Sequence, residues 1–478
     1  MSKVQFGIWT NIFDYTGYFV LFSGLLPFWA TRFVARGKKG TVKTAVLAQL
    51  LIAVIAVVIY FPVIVLISTA IGTEEVYLLI YFIAGLYVLT YYMITVFEST
   101  LQSARPQAVG YGLLIEEIVK VSVALVLILG FRQLFLGAIL ALVVSCIVQI
   151  LYYGYLLSDE FKEKVNWGYL KEWLKGSTAI AYSAIGMQLV AFVFILLFVY
   201  GGADTRAYYQ AAFTFTTIIG YSASLAYALY PKLLANSCSD EQVGVSFRTV
   251  LMLAIPFATI TMVMSTAFLT VLKVSYSVAW PVLIALTIDT LVVLIYSFYS
   301  SCVMGKEAFD AEGKISIRKL VRSKIFKVFT IPYIQAAIAL PLAYYVLTRL
   351  PVAGSVQAVL YVIAILIGVH LSSFIGLYSF MHHSVRIPVA WKSIAKYVLA
   401  SILMACVMLF LLPTTSTLLS TIAKAIVGFA IYVGVLLAID VQARKLIGLI
   451  WEEIKVTLRQ VTHKGNNSGQ NGFAISEN

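Results

Sequence analysis

Long apolar stretches separated by short polar loops run through this chain from Ile8 to Asp440. Each stretch holds about 20 apolar residues or more, the length that an α-helix needs to cross the hydrocarbon core of a bilayer. The pattern predicts an all-α, polytopic membrane protein with about thirteen transmembrane helices. The predicted spans cover residues 8–31, 42–71, 76–101, 109–131, 134–157, 177–200, 207–235, 247–272, 276–304, 328–347, 352–380, 391–412 and 417–439.

Composition agrees with this pattern, since the chain is 61% hydrophobic and only 12% charged. A soluble domain of this length does not bury so large an apolar fraction, so the bilayer is the expected solvent. The four cysteines form no CxxC pair, and we therefore predict neither a metal site nor structural disulfides.

Basic residues are concentrated in every second loop. The loops on one side hold clusters of Lys and Arg around residues 32–43, 162–175 and 306–327, whereas the loops on the other side hold five scattered cations. Because Lys-rich and Arg-rich loops stay in the cytoplasm, we predict a multi-pass protein of the plasma membrane with a cytoplasmic C-terminus. The net charge of +13 then does not call for nucleic acid as a partner.

The order of features repeats once along the chain, which predicts two lobes. A central Gly-Tyr pair and a terminal Pro before a cation occur in the first span and again in the seventh: Gly17, Tyr18, Pro27 and Arg32, then Gly220, Tyr221, Pro231 and Lys232. Transporters are often built from such repeats, with the substrate path between them. We predict an N-terminal lobe at 1–157, a cytoplasmic amphipathic connector at 158–176, a C-terminal lobe core at 177–380, additional helices at 381–445 and a cytoplasmic tail at 446–478, disordered at its end.

The segment at 201–212 carries a resemblance to a known family. A short outer loop, a Tyr-x-x-Ala motif, a span with Gly and a terminal Pro before a basic residue are common in the polysaccharide-transporter flippases; here these are Tyr209, Ala212, Gly220, Pro231 and Lys232. The chain resembles that family over nearly its whole length, although the family's first helix has no counterpart. The family belongs to the multidrug/oligosaccharidyl-lipid/polysaccharide exporter superfamily, so the resemblance implies two pseudo-symmetric lobes around a central cavity.

Ionisable residues inside predicted spans are the candidate site residues, because an unpaired charge there costs several kcal/mol. Asp14 lies in the first span, where hydration near the interface is the plain alternative. Glu116, Glu117 and Lys120 lie in the fourth span, where spacings of three and four residues allow each acid to pair with the lysine. Asp289 has no cation near it in sequence and is expected to face a cavity. His370 has the alternative of a hydrogen bond between helices.

The resemblance implies transport of a lipid-linked oligosaccharide from the cytoplasmic to the outer leaflet by alternating access. On this reading Arg32 and Lys232 at the inner mouth, with Lys120 deeper, hold the lipid phosphate, and Asp289 or Glu117 carries a coupling ion, H⁺ or Na⁺. No cofactor is expected, and the chain has no GxxxxGK[ST] motif for ATP. The expected partners are the lipid-linked glycan, membrane lipids and glycan-assembly enzymes.

Two other functions stay open at this stage. A drug/cation antiporter of the same superfamily would use an acid in the first lobe, a role open to Asp14 or Glu117; long basic loops and extra helices speak against it. A membrane glycosyltransferase or ligase needs a sizeable outer domain to hold its donor, and every predicted outer loop is too short for one. The chain is therefore not expected to be an enzyme.

Overall fold

The computed structural model describes residues 13, 16–71, 75–132, 134–226, 239–305, 323–349, 356–381, 390–410, 417–441, 443–444 and 448. These residues are almost entirely helical, and no strand occurs among them. The helices are α1 (Leu25–Ala35), α2 (Thr41–Ile71), α3 (Glu75–Ala104), α4 (Pro106–Leu125), α5 (Leu134–Leu156), α6 (Trp167–Gly201), α7 (Ala203–Gly220), α8 (Asp240–Val263), α9 (Ser265–Leu272), α10 (Trp280–Gly305), α11 (Lys324–Arg349), α12 (Val356–Met381), α13 (Trp391–Phe410) and α14 (Leu418–Ile439).

Eleven helical segments of the described residues are long and apolar enough to cross a membrane, which confirms an all-α polytopic membrane protein. Two predicted spans fall outside this set because they are more polar. The predicted span at 109–131 is α4, with its three charged residues, followed by a π-helical turn at Val126–Gly130. The predicted span at 207–235 begins as α7 and continues as a 3₁₀ turn at Tyr221–Ala226; the rest of it lies outside the described residues.

Helices α1 to α5 pack on one another and form the first lobe. Helix α1 contacts α2 and α3, and α5 contacts both α3 and α4. The lobe's core includes Tyr60 and Tyr81, which are joined by a 2.8 Å hydrogen bond from the Tyr60 hydroxyl to the Tyr81 carbonyl oxygen. A turn at residues 36–40 joins α1 to α2. Gly40 is required in that turn, because its φ is +73° and any Cβ would collide with the Lys164 carbonyl oxygen.

The second lobe is built around α10, which contacts α7, α8 and α12, while α11 packs along both α6 and α12. Helix α8 begins with a capping box between Ser239 and Gln242. Helix α13 packs on α8, and α14 packs on α13 and α8. The hydroxyl of Tyr432 on α14 donates to the carbonyl oxygen of Met252 on α8 over 2.7 Å, so the last two helices belong to this lobe.

The segment between the lobes differs from the interfacial helix that we predicted over 158–176. It forms a 3₁₀ turn at Glu160–Lys162 and an extended stretch, and α6 then starts at Trp167 and runs without a break to Gly201. The apolar residues that suggested an interfacial helix pack instead on protein, because Trp173 is fully buried and Phe161 contacts the same apolar cluster. Helix α6 thus passes through the predicted boundary between residues 176 and 177. The predicted domain limits stay predictions.

The two lobes share an apolar cluster at one end of the molecule. We call this end the basic face, because Arg36, Lys38 and Lys39 lie beside it in the turn after α1. The cluster joins Trp29 of α1 and Val42 of α2 to Trp173 of α6 and Phe329 of α11; the other apolar clusters of the described residues each lie within one lobe. At Gly176 the approach is so close that any Cβ would collide with the Trp29 ring. The lobes are therefore packed together at the basic face.

Candidate functional site

The second lobe contains an acid–imidazole pair deep within its helices. Asp289 Oδ1 on α10 lies 2.7 Å from His370 Nδ1 on α12, and the two side chains are only 12% and 16% exposed. The hydroxyls of Thr287 and Thr290, which flank Asp289 in sequence, bond to carbonyl oxygens of their own helix. Asp289 therefore has its partner across the helix interface and not along its own helix.

The surroundings of this pair are mostly apolar. Leu286, one turn before Asp289, and Val369, next to His370, belong to a buried apolar cluster that also contains Tyr209 of α7. Three residues beyond the imidazole, the hydroxyl of Ser373 accepts a 3.1 Å hydrogen bond from Gln335 of α11. The carboxylate and the imidazole therefore share a hydrogen bond whose donor depends on the imidazole tautomer.

The first lobe carries the predicted charged trio on α4. Lys120 Nζ lies 3.2 Å from Glu116 Oε1 and 2.7 Å from Glu117 Oε1, so both predicted pairings are present. The Tyr221 hydroxyl, which follows α7 in the other lobe, donates to Glu117 Oε1 over 3.2 Å. The single lysine is therefore shared by the two acids, and the trio also contacts the second lobe.

A second polar group in the first lobe was not among the predicted site residues. Glu98 Oε1 on α3 accepts hydrogen bonds from Gln149 Nε2 at 3.1 Å and from the Tyr153 hydroxyl at 3.2 Å, both on α5. The Tyr153 ring lies against Gly112 on its way to Glu98, and any Cβ at residue 112 would collide with that ring. The signal available in the sequence is Gln149 and Tyr153, two polar groups at a four-residue spacing in an otherwise apolar span.

Glu98 lines a cavity of about 390 Å³ between the two lobes, near the basic face. Helix α10 of the second lobe contributes Ser301 and Met304, and the first lobe contributes the rest of the lining. The first-lobe residues are Gly24, Pro27, Phe28, Thr31, Thr95, Glu98, Ser99, Gln102 and Val109. Glu98 is the only ionisable side chain among these described lining residues.

Arg32 lies next to this cavity but does not line it. Its side chain is fully buried, one guanidinium nitrogen donates to the Met304 carbonyl oxygen over 3.2 Å, and its guanidinium carbon lies 5.8 Å from the centre of the Phe28 ring. Since Arg32 belongs to α1 and Met304 to α10, this contact joins the lobes. In this conformation the guanidinium is occupied by protein groups.

The structure distributes the six predicted site residues that it describes over three places. Asp289 and His370 come together in the second lobe, Glu116, Glu117 and Lys120 in the first, and Arg32 at the joint between the lobes. Asp14 and Lys232 lie outside the described residues. No group of three or more potential metal ligands occurs in the part of the chain that the structure describes.

Comparison with known proteins gives a fold but no sequence family. No protein-family model and no curated protein matches the sequence. Solved structures of MATE transporters do match: one in complex with MaL6 has a TM-score of 0.59 at 13% identity, over 78% of this chain and 88% of that chain. The chain has the fold of these transporters.

Two further structures support the same conclusion. An outward-facing multidrug resistance MATE transporter of the MOP superfamily matches with a TM-score of 0.58 at 14% identity, over 80% of this chain and 86% of its own. A MOP superfamily transporter from Pyrococcus furiosus, whose binding pocket of reversed polarity suggests a different function for it, matches at 0.57 and 14% identity, over 79% and 86%. The shared fold is the one that the resemblance implied, and membership of the superfamily and of the polysaccharide transporters stays a prediction.

Proposed function

We propose that this protein is an alternating-access membrane transporter that exports an amphipathic organic cation in exchange for protons held at Asp289 and His370. The observation that carries the proposal is the 2.7 Å contact between these two side chains inside the second lobe. Ionisable groups inside membrane spans are costly to bury, and in membrane transporters they mark ion pathways and proton relays. The fold that the chain shares with MATE transporters supplies the two lobes that alternating access requires.

The packing of the lobes supports a transport cycle. Their common apolar cluster and the contact from Arg32 to Met304 lie at the basic face, which corresponds to a conformation closed on that side. Such a closure opens when the contacts that hold it are exchanged for others of similar free energy. Binding or release of a proton at a buried pair changes its charge and can shift that balance.

Charge favours a cation over an anionic lipid as the substrate. The interlobe cavity has one carboxylate and no lysine or arginine among its described lining residues. The two described cations that could hold a lipid phosphate are occupied, because Arg32 bonds to Met304 and Lys120 bonds to two glutamates. A phosphate in this conformation would face the Glu98 carboxylate and no cationic side chain among the described lining residues.

The test is transport by the purified protein in proteoliposomes under an imposed pH gradient. We expect ethidium, an aromatic monocation, to accumulate inside liposomes whose interior is acidic, while protons leave in the opposite direction. Liposomes without protein give the passive background. Equal ethidium uptake with and without a pH gradient would contradict proton coupling. Uptake equal to the background would contradict the proposed substrate class.

A lipid-linked oligosaccharide remains the second candidate substrate. The observation that favours it is the pair of helices α13 and α14, which are firmly packed on the second lobe and extend its core. Some members of the polysaccharide-transporter family have fourteen helices, and two additional C-terminal helices fit that number. Mass spectrometry of lipid-linked glycans in a deletion strain and in the complemented strain distinguishes the two: accumulation of complete precursor supports the flippase, and unchanged pools with raised sensitivity to cationic drugs support the antiporter.

A further inference from the structure

We infer that the interlobe cavity beside Glu98 is a binding site for an amphipathic monovalent organic cation, with the Glu98 carboxylate as its charged anchor. The inference deepens the proposed function, and it rests on it only for the direction of transport. The site is separate from Asp289 and His370, which do not line this cavity. The cavity volume of about 390 Å³ falls at the lower end of the range, roughly 300–1,000 Å³, that holds drug-sized ligands.

Glu98 is held in position from behind. Its Oε1 accepts from Gln149 and Tyr153, and Tyr153 is in turn fixed by its contacts with Val109 and with residue 112. Its Oε2 makes no hydrogen bond to the described residues and is not fully buried. One oxygen of the carboxylate is thus anchored while the other is available to a ligand, which is the geometry of a preorganised charged contact.

Three hydroxyl groups of the lining, those of Thr31, Thr95 and Ser99, act as acceptors. Thr31 donates its hydrogen to either the Pro27 or the Ser99 carbonyl oxygen, Thr95 donates to the Tyr91 carbonyl oxygen, and Ser99 donates to the Val96 carbonyl oxygen. Since each of these hydroxyls has one hydrogen, its oxygen offers lone pairs, and not a donor, to the space beside it. A cavity with one carboxylate, these three acceptors and no cationic side chain among its described lining residues suits a cation, and it disfavours an anion.

The remaining lining supplies a surface for an apolar body. Pro27, Phe28 and Val109 come from the first lobe and Met304 comes from the second. Aromatic and thioether groups adapt to flat apolar ligands and favour cations near ring faces. Arg32 already lies over the Phe28 ring, and its burial keeps its charge out of the cavity. The ligand class is therefore a small aromatic or aliphatic cation with one charge.

Binding of ethidium to the full-length protein in nanodiscs, followed by fluorescence anisotropy, tests the site. We expect Glu98→Gln to raise the Kd for ethidium at least about tenfold, because the substitution removes the charge while keeping the side-chain shape. Glu160→Gln makes the same chemical change at an exposed residue away from the cavity and should leave the Kd unchanged. Phenanthridine, the uncharged ring system, should bind the wild-type protein about tenfold more weakly than ethidium and should be insensitive to Glu98→Gln.

A second variant guards against a folding defect. Ser301→Phe fills the cavity from the α10 side without touching the Glu98 network, and it should also raise the Kd at least about tenfold. Thermal unfolding of each variant shows whether the protein remains folded. If ethidium binds both Glu98→Gln and Ser301→Phe as tightly as wild type, the site is not this cavity.

The outcomes separate this site from the transport proposal. Proton-driven ethidium uptake that survives both substitutions with unchanged binding would leave the transport function standing and overturn the site. Binding that depends on Glu98, without any proton-driven uptake, would support the site and overturn the antiport. An absence of ethidium binding to the wild-type protein, together with binding of a polyprenyl diphosphate, would overturn the ligand class proposed for the cavity.

Discussion

Asp289 and His370 are 81 positions apart in the chain, yet Asp289 Oδ1 and His370 Nδ1 lie only 2.7 Å apart. The contact exists because α10 and α12 pack along each other through the second lobe, which places the middle of one helix against the middle of the other. Neither side chain would be tolerated alone in this apolar surrounding. Each side chain therefore depends on the other for its hydrogen bond, and a substitution at one position leaves the other without that partner.

The first prediction concerns coupling at this pair. Asp289→Asn replaces the carboxylate with an amide of the same size, which cannot exchange a proton with the imidazole. We expect proton-driven ethidium uptake to fall at least about tenfold, while exchange of external for internal ethidium at equal pH continues. Expression is expected to remain intact, because the amide can still hydrogen-bond to His370. Uptake and exchange in proteoliposomes, measured side by side, check this result.

A matched control for that prediction lies outside the membrane-spanning helices. Asp159 is fully exposed, and its hydrogen bond with Lys162 lowers the pKa of its carboxyl group. Asp159→Asn makes the same chemical change there and should leave both uptake and exchange as in the wild type. If Asp289→Asn supports normal uptake under a pH gradient, Asp289 does not carry the coupling ion.

The second prediction compares two glycines of α4. A Cβ at Gly112 would collide with the Tyr153 ring, whereas a Cβ at Gly110 would meet nothing within 4 Å. Gly112→Ala should therefore destabilise the protein by about 1–3 kcal/mol and push Tyr153 away from Glu98. Gly110→Ala should stabilise it by about 0.5–1 kcal/mol, because alanine is the better helix former. Denaturant unfolding in micelles gives both values, and equal effects would contradict the close packing at residue 112.

The same glycine shows why the sequence predicts the helices better than the site. The apolar stretches and the i, i+3 and i, i+4 pairs of Lys120 follow from local spacing, and the described part of the structure contains them. Contacts between distant helices do not follow from local spacing. The partner of Asp289, the placement of Glu98 against α5 and the contact from Tyr221 to Glu117 all depend on which helices pack together.

The helix pattern at 158–176 differs from the expected one for a related reason. An apolar residue every four positions predicts an apolar helical face, but the pattern does not say whether lipid or protein covers that face. Here protein covers it, since Trp173 is buried against Phe33 with ring centres 5.6 Å apart. A longer helix, α6, replaces the separate interfacial one.

The third prediction concerns the closure at the basic face. Arg32→Met keeps the length and apolar stem of the side chain but removes the guanidinium that bonds to the Met304 carbonyl oxygen. A hydrogen bond from a charged donor contributes about 1.5–3 kcal/mol, so the closed state should lose about that much relative to the open one. Opening of the closed state is measured by alkylation of Ser301→Cys in a protein whose native cysteines are replaced. The reagent is added on the side of the basic face. Lys39→Met, at an exposed residue of the same face, should leave the alkylation rate unchanged.

An unchanged alkylation rate in Arg32→Met would mean that the contact with Met304 does not hold the closed state. A faster rate would also give the ligand a route to the cavity, because Ser301 and Met304 line it. The closure and the binding site would then be coupled through one helix end.

The last prediction concerns the hydrogen bond between the Tyr221 hydroxyl and Glu117 Oε1, which crosses from one lobe to the other over 3.2 Å. Tyr221 is 48% exposed, and the Glu117 side chain is 42% exposed and already paired with Lys120, so the bond should contribute less than about 1 kcal/mol. Spin labels placed by Lys38→Cys and Glu241→Cys report the separation of the lobes. Tyr221→Phe and Glu117→Gln should each change the ratio of the populations with short and long separations by at most about fivefold. The double variant should shift it no further than the larger single effect, because both changes remove the same bond. Effects that add up would show that the two residues act on the lobes independently.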